Sequence, residues 1–320
     1  MLATLSLPVS AHELRAAVRQ ARPFNAARLD RVLRLDTSSG VVEVQASATW
    51  SSLAAYLRPG NVELAASWGN STTIGDSVAA NEAGPDGRPT VEHVEALTLV
   101  TLDGELRRVS RGTNPELFAL VVGGQGLFGA LYSVTLRLES LARAASNALP
   151  SATLDLRAAA TPAQPLNLLL PPEALESFLA EARSRCADWR VAIEAVEVRR
   201  TLAEEETILC WARREYAAVT LWLAEAPALG GSVRAAQLRR ELIDTALGYG
   251  GSFPIAANLF ATRAQTEACY PQLRQFLADK RRLDPGERLT NPWYRHYRSL
   301  LRRDACDVRW NDRANFQAAP

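Results

Sequence analysis

Apolar positions change their period several times along this 320-residue chain, and each change marks an element. Leu14, Ala17, Val18 and Ala21 recur at helical spacing behind Ser10, and Glu13 three residues after that serine completes a capping-box signature. A first amphipathic helix is therefore predicted, broken by Arg22-Pro23-Phe24-Asn25. Short apolar runs at 32–35 and 41–44, turned by Thr37-Ser38-Ser39-Gly40, read as a strand pair. Residues 51–57 read as a helix stopped by Pro59-Gly60. Residues 67–89 are rich in Gly, Ser, Thr, Asn and Pro with little periodicity, which predicts a long ordered loop, and such loops are usually functional. Beyond it, runs at 96–102 and 105–109 flank Asp103-Gly104, a strong hairpin signal. Asn114-Pro115-Glu116 supplies a helix cap and a first-turn proline, and Gly123-Gly124 a stop. Tyr132, Val134, Leu136 and Leu138 then alternate with Ser133, Thr135 and Arg137, as in a half-buried strand.

After this the pattern lengthens. Residues 141–165 are Ala-, Ser- and Pro-rich, and helices are predicted at 173–185, 232–247 and 264–282, with strands near 191–198 and 216–223. An α+β chain of two domains is expected, 1–141 and 142–320, the second carrying an antiparallel sheet. The acidic run Glu204-Glu205-Glu206 reads as a solvated turn.

Charge and cysteine usage narrow the partner. The net charge of +1 and the lack of long Lys/Arg clusters argue against nucleic acid or an anionic membrane, both of which need a basic footprint, so a small-molecule substrate is expected. Cys186, Cys210, Cys269 and Cys306 lie far apart with no Cys-x-x-Cys, signalling neither a metal site nor a disulfide framework. The start lacks a basic region and a long apolar run, and no stretch is apolar enough to span a bilayer. A cytoplasmic protein is the expectation.

Gly124-Gln125-Gly126-Leu127-Phe128-Gly129 matches the dinucleotide fingerprint G-x-G-x-x-G. That fingerprint needs a strand before it and a helix after, so that the pyrophosphate meets the helix N-terminus. Here a capped helix precedes and an alternating strand follows, which sets the nicotinamide reading aside.

A longer order of motifs is more informative. It runs from Ser71-Thr72-Thr73-Ile74-Gly75-Asp76-Ser77-Val78 to Asn81, then the Gly84-Pro85 turn, His93-Val94-Glu95, the Asp103-Gly104 hairpin, Asn114-Pro115-Glu116-Leu117-Phe118 and Gly123 to Gly129. Small residues that leave amides bare are what close approach to a doubly charged pyrophosphate requires. From about residue 7 to 139 this order resembles the FAD-binding domain of the vanillyl-alcohol-oxidase / p-cresol-methylhydroxylase superfamily, the PCMH-type FAD-linked oxidases. The resemblance implies a two-subdomain FAD-binding domain followed by a substrate-capping domain. It also implies that Ser71, Thr72, Thr73, Ile74, Gly75, Ser77, Val78 and Asn81 wrap the pyrophosphate and ribityl chain, with Gly84 also binding the cofactor and Gly129, Ala130 and Val134 against the adenine side. Leu209-Cys210-Trp211-Ala212-Arg213, Gly250-Gly251-Ser252-Phe253, Ala261 to Gln265, Tyr270-Pro271, Lys280 to Pro285 and Asn291 resemble the carboxy-terminal part of sugar, alditol and lactone oxidases, whose last stretch returns to the flavin. Oxidation of an alcohol or sugar-like substrate by hydride transfer to FAD is the activity implied.

Three departures qualify it. Family members carry a strand-turn-strand with a Gly-rich phosphate loop and its histidine after the first helix, whereas here residues 22–25 lead almost directly into 29–33. The first subdomain is thus shortened, and FAD is expected to bind noncovalently. Phe253, Ile255 and Ala257 are inert on an expected strand where relatives place polar groups, leaving Asn258, and His296 in the tail, as candidate catalytic residues. Asp76 puts a carboxylate where relatives have glycine, unfavourable beside a diphosphate unless it points away. His93 reads as structural, His12 as solvated, and Arg213 and Arg295 as possible anion contacts. The alternative is a non-catalytic relative with lost or weak FAD binding, acting as a structural or regulatory partner.

Overall fold

The computed structural model describes residues 6–60, 64, 68, 73–147, 152–155, 165–224 and 231–302, with the backbone alone at 152–155 and 231–232. Helix α1 (Ala11–Arg19) opens the chain, its Ser10 hydroxyl accepting the Glu13 amide. Strands β1 (Val32–Asp36) and β2 (Val41–Gln45), helices α2 (Trp50–Leu57) and α3 (Ile74–Ala80), strands β3 (Val94–Val100) and β4 (Leu106–Ser110), helix α4 (Pro115–Val121), strand β5 (Ala130–Arg137) and helix α5 (Leu138–Ser146) follow. The five strands form one antiparallel sheet in the order β1-β2-β5-β3-β4. Val42, Val44, Leu97, Val134 and Leu136 line its buried face, and Arg34, Glu43, Arg108 and Arg137 stand on its polar one. One end of that polar face is closed by α1, where Leu14 and Val18 pack with Leu29, Val100 and Ala130, and Phe24 and Tyr132 lie alongside.

The second half contains β6 (Ala152–Asp155), β7 (Pro165–Leu170), α6 (Leu175–Asp188), β8 (Ile193–Thr201), β9 (Tyr216–Leu223), α7 (Gly231–Gly248), α8 (Arg263–Cys269), α9 (Leu273–Leu283) and α10 (Pro292–Arg302). Its sheet is antiparallel in the order β6-β8-β9-β7, and the whole is α+β. The glycine run 123–129 lies between a helix and a strand, the reverse of a Rossmann turn, as the motif order predicts. The carboxy-terminal elements return to this run: Lys280 Nζ donates to the Leu127 carbonyl at 2.7 Å and Asn291 Nδ2 to that of Gln125 at 2.8 Å.

Several predicted elements differ. The expected loop at 67–89 contains α3, a seven-residue helix that its Gly, Ser and Asp conceal from propensity reasoning but that Thr73 caps. The expected helix at 264–282 is two helices, because Pro271 cannot supply an amide and disfavours the helical conformation at Tyr270. At 251–258 the expected strand is replaced by turns and one bridge, Leu169 to Ser252. Helix α5 runs through the Ala-rich stretch at residue 141. Among the described residues, no helix is long and apolar enough to cross a membrane.

Candidate functional site

Helix α3 and its caps hold Thr73, Ile74, Gly75, Ser77, Val78 and Asn81 of the residues expected at the cofactor, whereas Ser71 and Thr72 lie outside the described residues. The amides at its start are already engaged within the protein. Ile74 N donates to Ala48 O at 2.9 Å, Gly75 N to Ala46 O at 2.7 Å, Asp76 N to Thr73 Oγ1 at 3.1 Å and Ser77 N to Thr73 O at 3.2 Å. Ser77 Oγ accepts from Trp50 Nε1 at 2.9 Å, and Ile74 and Val78 are core residues. Asp76 accepts the Thr73 hydroxyl at 2.7 Å, folding its carboxylate back on the helix start. A Cβ on Gly75 would stand 2.7 Å from Ala46 O, and one on Gly84 2.6 Å from the Trp68 ring. One on Gly129 would stand 2.5 Å from Leu99 Cδ1. These glycines allow close packing. Ala130 lies under α1, and Val134 is in the core.

Asn81, ending α3 in the left-handed region (φ 50°), ties the two halves together. Its Nδ2 donates to Glu204 Oε1 at 3.1 Å, its Oδ1 accepts from Val91 N at 2.9 Å, and its carbonyl accepts from Trp211 Nε1 at 3.0 Å. Glu204 is 3% exposed rather than solvated, because its second oxygen also accepts the Glu206 and Thr207 amides at 2.8 and 3.0 Å. Glu206 pairs with Arg111 at 2.6 Å. Isolated charge in sequence gives no sign that a carboxylate will be enclosed by amide donors from its own turn.

Between α3 and the four-stranded sheet lies a cleft of about 320 Å³. Ala80, Ala83, Gly84 and Pro85 make a wall poor in side chains, and Trp68 backs Gly84. Opposite, Asn167, Thr220 and Glu197 form a polar row at matched register across β7, β9 and β8. Thr220 Oγ1 donates to Asn167 Oδ1 at 2.9 Å, and Arg199 on the next row donates to Glu197 at 2.6 Å. Pro254, Ala256 and Ala257 close a third side. Sequence reasoning missed Asn167, Thr220 and Glu197. The single polar residue among the leucines of β7 and the alternation in β9 were the available signals.

Neither catalytic candidate reaches the cleft wall. Asn258 is buried, its Nδ2 donating to the Asn167 carbonyl, where it pins the β7 edge. His296 lies on α10 beside Tyr297, and burial lowers its pKa from the ordinary value. Arg213 donates to Cys269 O and Gln272 Oε1, and Arg295 to Thr290 at 3.4 Å. His93 is buried with Nδ1 2.7 Å from Ser140 Oγ, its ring edge-on to Trp68, which stacks on Trp50 at 4.2 Å. Behind it, burial pushes the Asp86 carboxyl up, but His93, with Nε2 at 3.6 Å, and the Arg88 amide outweigh this and hold it below the ordinary range. His12 is exposed on α1.

Fold and cleft together define a class: an α+β chain in which a helix-backed antiparallel sheet meets a second sheet across a ligand-sized gap. Residues 24–110 match the model of the FAD binding domain family, of the PCMH type, a match that indicates FAD binding by this part of the chain. No curated protein matches the chain. The cleft suits a flat, polar-edged ring. The described residues of α3 and β5, whose amides and surfaces are occupied by the protein itself, do not fit a diphosphate and adenine.

Proposed function

We propose that the chain is an FAD-binding oxidoreductase of two domains, 1–141 and 142–320, acting in the cytoplasm on a small alcohol or sugar-like substrate. The observation that carries this reading is the row Asn167, Thr220 and Glu197 facing the bare wall at Ala83 and Gly84. A flavin, when bound, supplies the hydride acceptor that oxidation of an alcohol requires. The row offers amide, hydroxyl and carboxylate at strand spacing, a set that both donates to and accepts from vicinal hydroxyls. Trp211 and the aliphatic wall limit water around such a ligand.

A second reading, a non-catalytic relative serving as a structural or regulatory partner, is favoured by the Pro254, Ala256 and Ala257 side, which holds no proton acceptor, and by the engagement of Asn258. Anaerobic incubation of flavin-loaded protein with a panel of polyols and aldoses separates the two. Bleaching of the flavin absorbance is expected for the enzyme. A preparation that stays colourless with added FAD and gains no thermal stability sinks the first reading, since a ligand at a hundred times its Kd stabilises by about 2.7 kcal/mol.

A further inference from the structure

The cleft's size and charge suit one part of a flavin dinucleotide. Pockets for drug-sized ligands run from about 300 to 1,000 Å³, and this one, at about 320 Å³, takes a ring system but not a whole dinucleotide. Its charged lining balances, Glu82 and Glu197 against Arg199 and Arg200, and both arginines are paired, with Glu197 and with Glu215 at 2.6 Å. A doubly charged diphosphate needs surplus cations or bare amides. Surplus cations are not offered by this lining.

The rest of the described FAD-binding segment adds no seat. The amides of Ile74, Gly75, Asp76 and Ser77 are spent inside the protein, and the Asp76 carboxylate already occupies the start of α3. Against Ala130, where adenine was expected, Leu14 and Val18 of α1 pack with Phe24 and Tyr132 beside them. Meanwhile Thr220 already donates to the Asn167 oxygen and Arg199 to Glu197, so that the row presents the Asn167 amide as donor and the Thr220 and Glu197 oxygens as acceptors to the imide edge of a flavin ring, with Ala80, Ala83 and Gly84 a surface it can lie on.

We propose that this chain recognises flavin through the isoalloxazine ring alone, the ADP half contributing no binding, so that riboflavin, FMN and FAD are interchangeable ligands. The inference rests on the flavin reading above. It differs from that reading in what it says of the nucleotide.

Titration of the full chain with riboflavin, FMN and FAD, followed by quenching of flavin fluorescence, is the test. Dissociation constants within about threefold of one another are expected, with ADP failing to compete. Ala218→Phe, which fills the cleft from β9, should weaken all three by at least tenfold, while circular dichroism verifies its fold. Asp76→Asn, which removes the carboxylate from the start of α3, should leave the FAD-to-riboflavin ratio unchanged. FAD binding more than tenfold tighter than riboflavin, or displacement of FAD by ADP, overturns the inference and leaves the flavin reading standing. Failure of all three flavins to bind refutes the flavin reading itself.

Discussion

The side-chain amide of Asn81 donates to the carboxylate of Glu204 at 3.1 Å across 123 residues of sequence, and it joins the end of α3 to the segment that follows β8. The contact is enclosed on every side. Truncating Glu204 to alanine strands the Asn81 amide and the Glu206 and Thr207 backbone amides without partners. Leaving a buried donor unsatisfied costs about 1–3 kcal/mol, so Glu204→Ala should lose about 3 kcal/mol in urea unfolding with an unchanged slope. A loss below about 0.5 kcal/mol shows the carboxylate to be dispensable for the fold.

Lys280 and Asp284 form a second buried junction, 2.5 Å apart and both nearly inaccessible, with Lys280 Nζ also donating to Leu127 O in the glycine run. Burial lowers the lysine's pKa against the pull of Asp284. Removing one member of a buried pair leaves the other uncompensated, at about 3–5 kcal/mol, whereas an apolar replacement of both is nearly neutral. The Asp284 oxygens, however, also accept the Arg288 and Leu289 amides at 3.0 Å. Lys280→Met should therefore cost about 3 kcal/mol, and Lys280→Met with Asp284→Asn clearly less than the sum of the two single changes. Strict additivity in that double-mutant cycle denies the coupling.

What was legible in sequence divides along the range of the interactions. The hairpin at Asp103-Gly104, the cap at Ser10 and the alternation before Leu138 are local signals, and β3, β4, α1 and β5 stand where they predict. So did the reversed order around Gly124 to Gly129, which separated this chain from nicotinamide enzymes. The cleft could not be read because its walls, Ala83 with Gly84 and Asn167 with Thr220, come from segments far apart in sequence. Glu204 was misread for the same reason: its neighbours Glu205 and Glu206 suggest solvent, while its partner Asn81 lies in the other half. Gly75 of α3 marked a close approach correctly, yet the group approached is Ala46 of the protein's own strand end.

Cysteine ionisation gives the fold an alkaline limit. Burial pushes the thiol of Cys210 up to about 12, with the Glu204 charge adding to it, burial alone takes Cys186 to about 11, and burial likewise raises Cys269. Above about pH 9 the unfolded chain releases thiol protons that the folded chain keeps, so stability is fully present below that pH and falls as pH rises toward the folded values. Between pH 9 and 10, below the ordinary range of tyrosine, the decline should belong mainly to these thiols. Urea midpoints measured across that window should fall in the native protein and fall less in Cys210→Ala. Parallel pH profiles for the two proteins exclude Cys210 as a contributor.

Gly75 offers a test in which the sign decides. In an exposed helix Gly→Ala is worth up to about 1 kcal/mol of added stability, so a glycine kept only for a ligand should reward its replacement in the ligand-free protein. Here a Cβ would stand 2.7 Å from Ala46 O, a backbone atom whose carbonyl is also the acceptor of the Gly75 amide. Neither partner can turn aside as a side chain would, and the helix start must shift away from β2. Overpacking of this kind costs about 1–3 kcal/mol. Gly75→Ala should therefore destabilise the flavin-free chain by that amount in thermal or urea unfolding, and by the same amount when riboflavin is present. A stabilised flavin-free variant that loses flavin affinity assigns the glycine to the ligand instead and reopens the start of α3 as a binding surface.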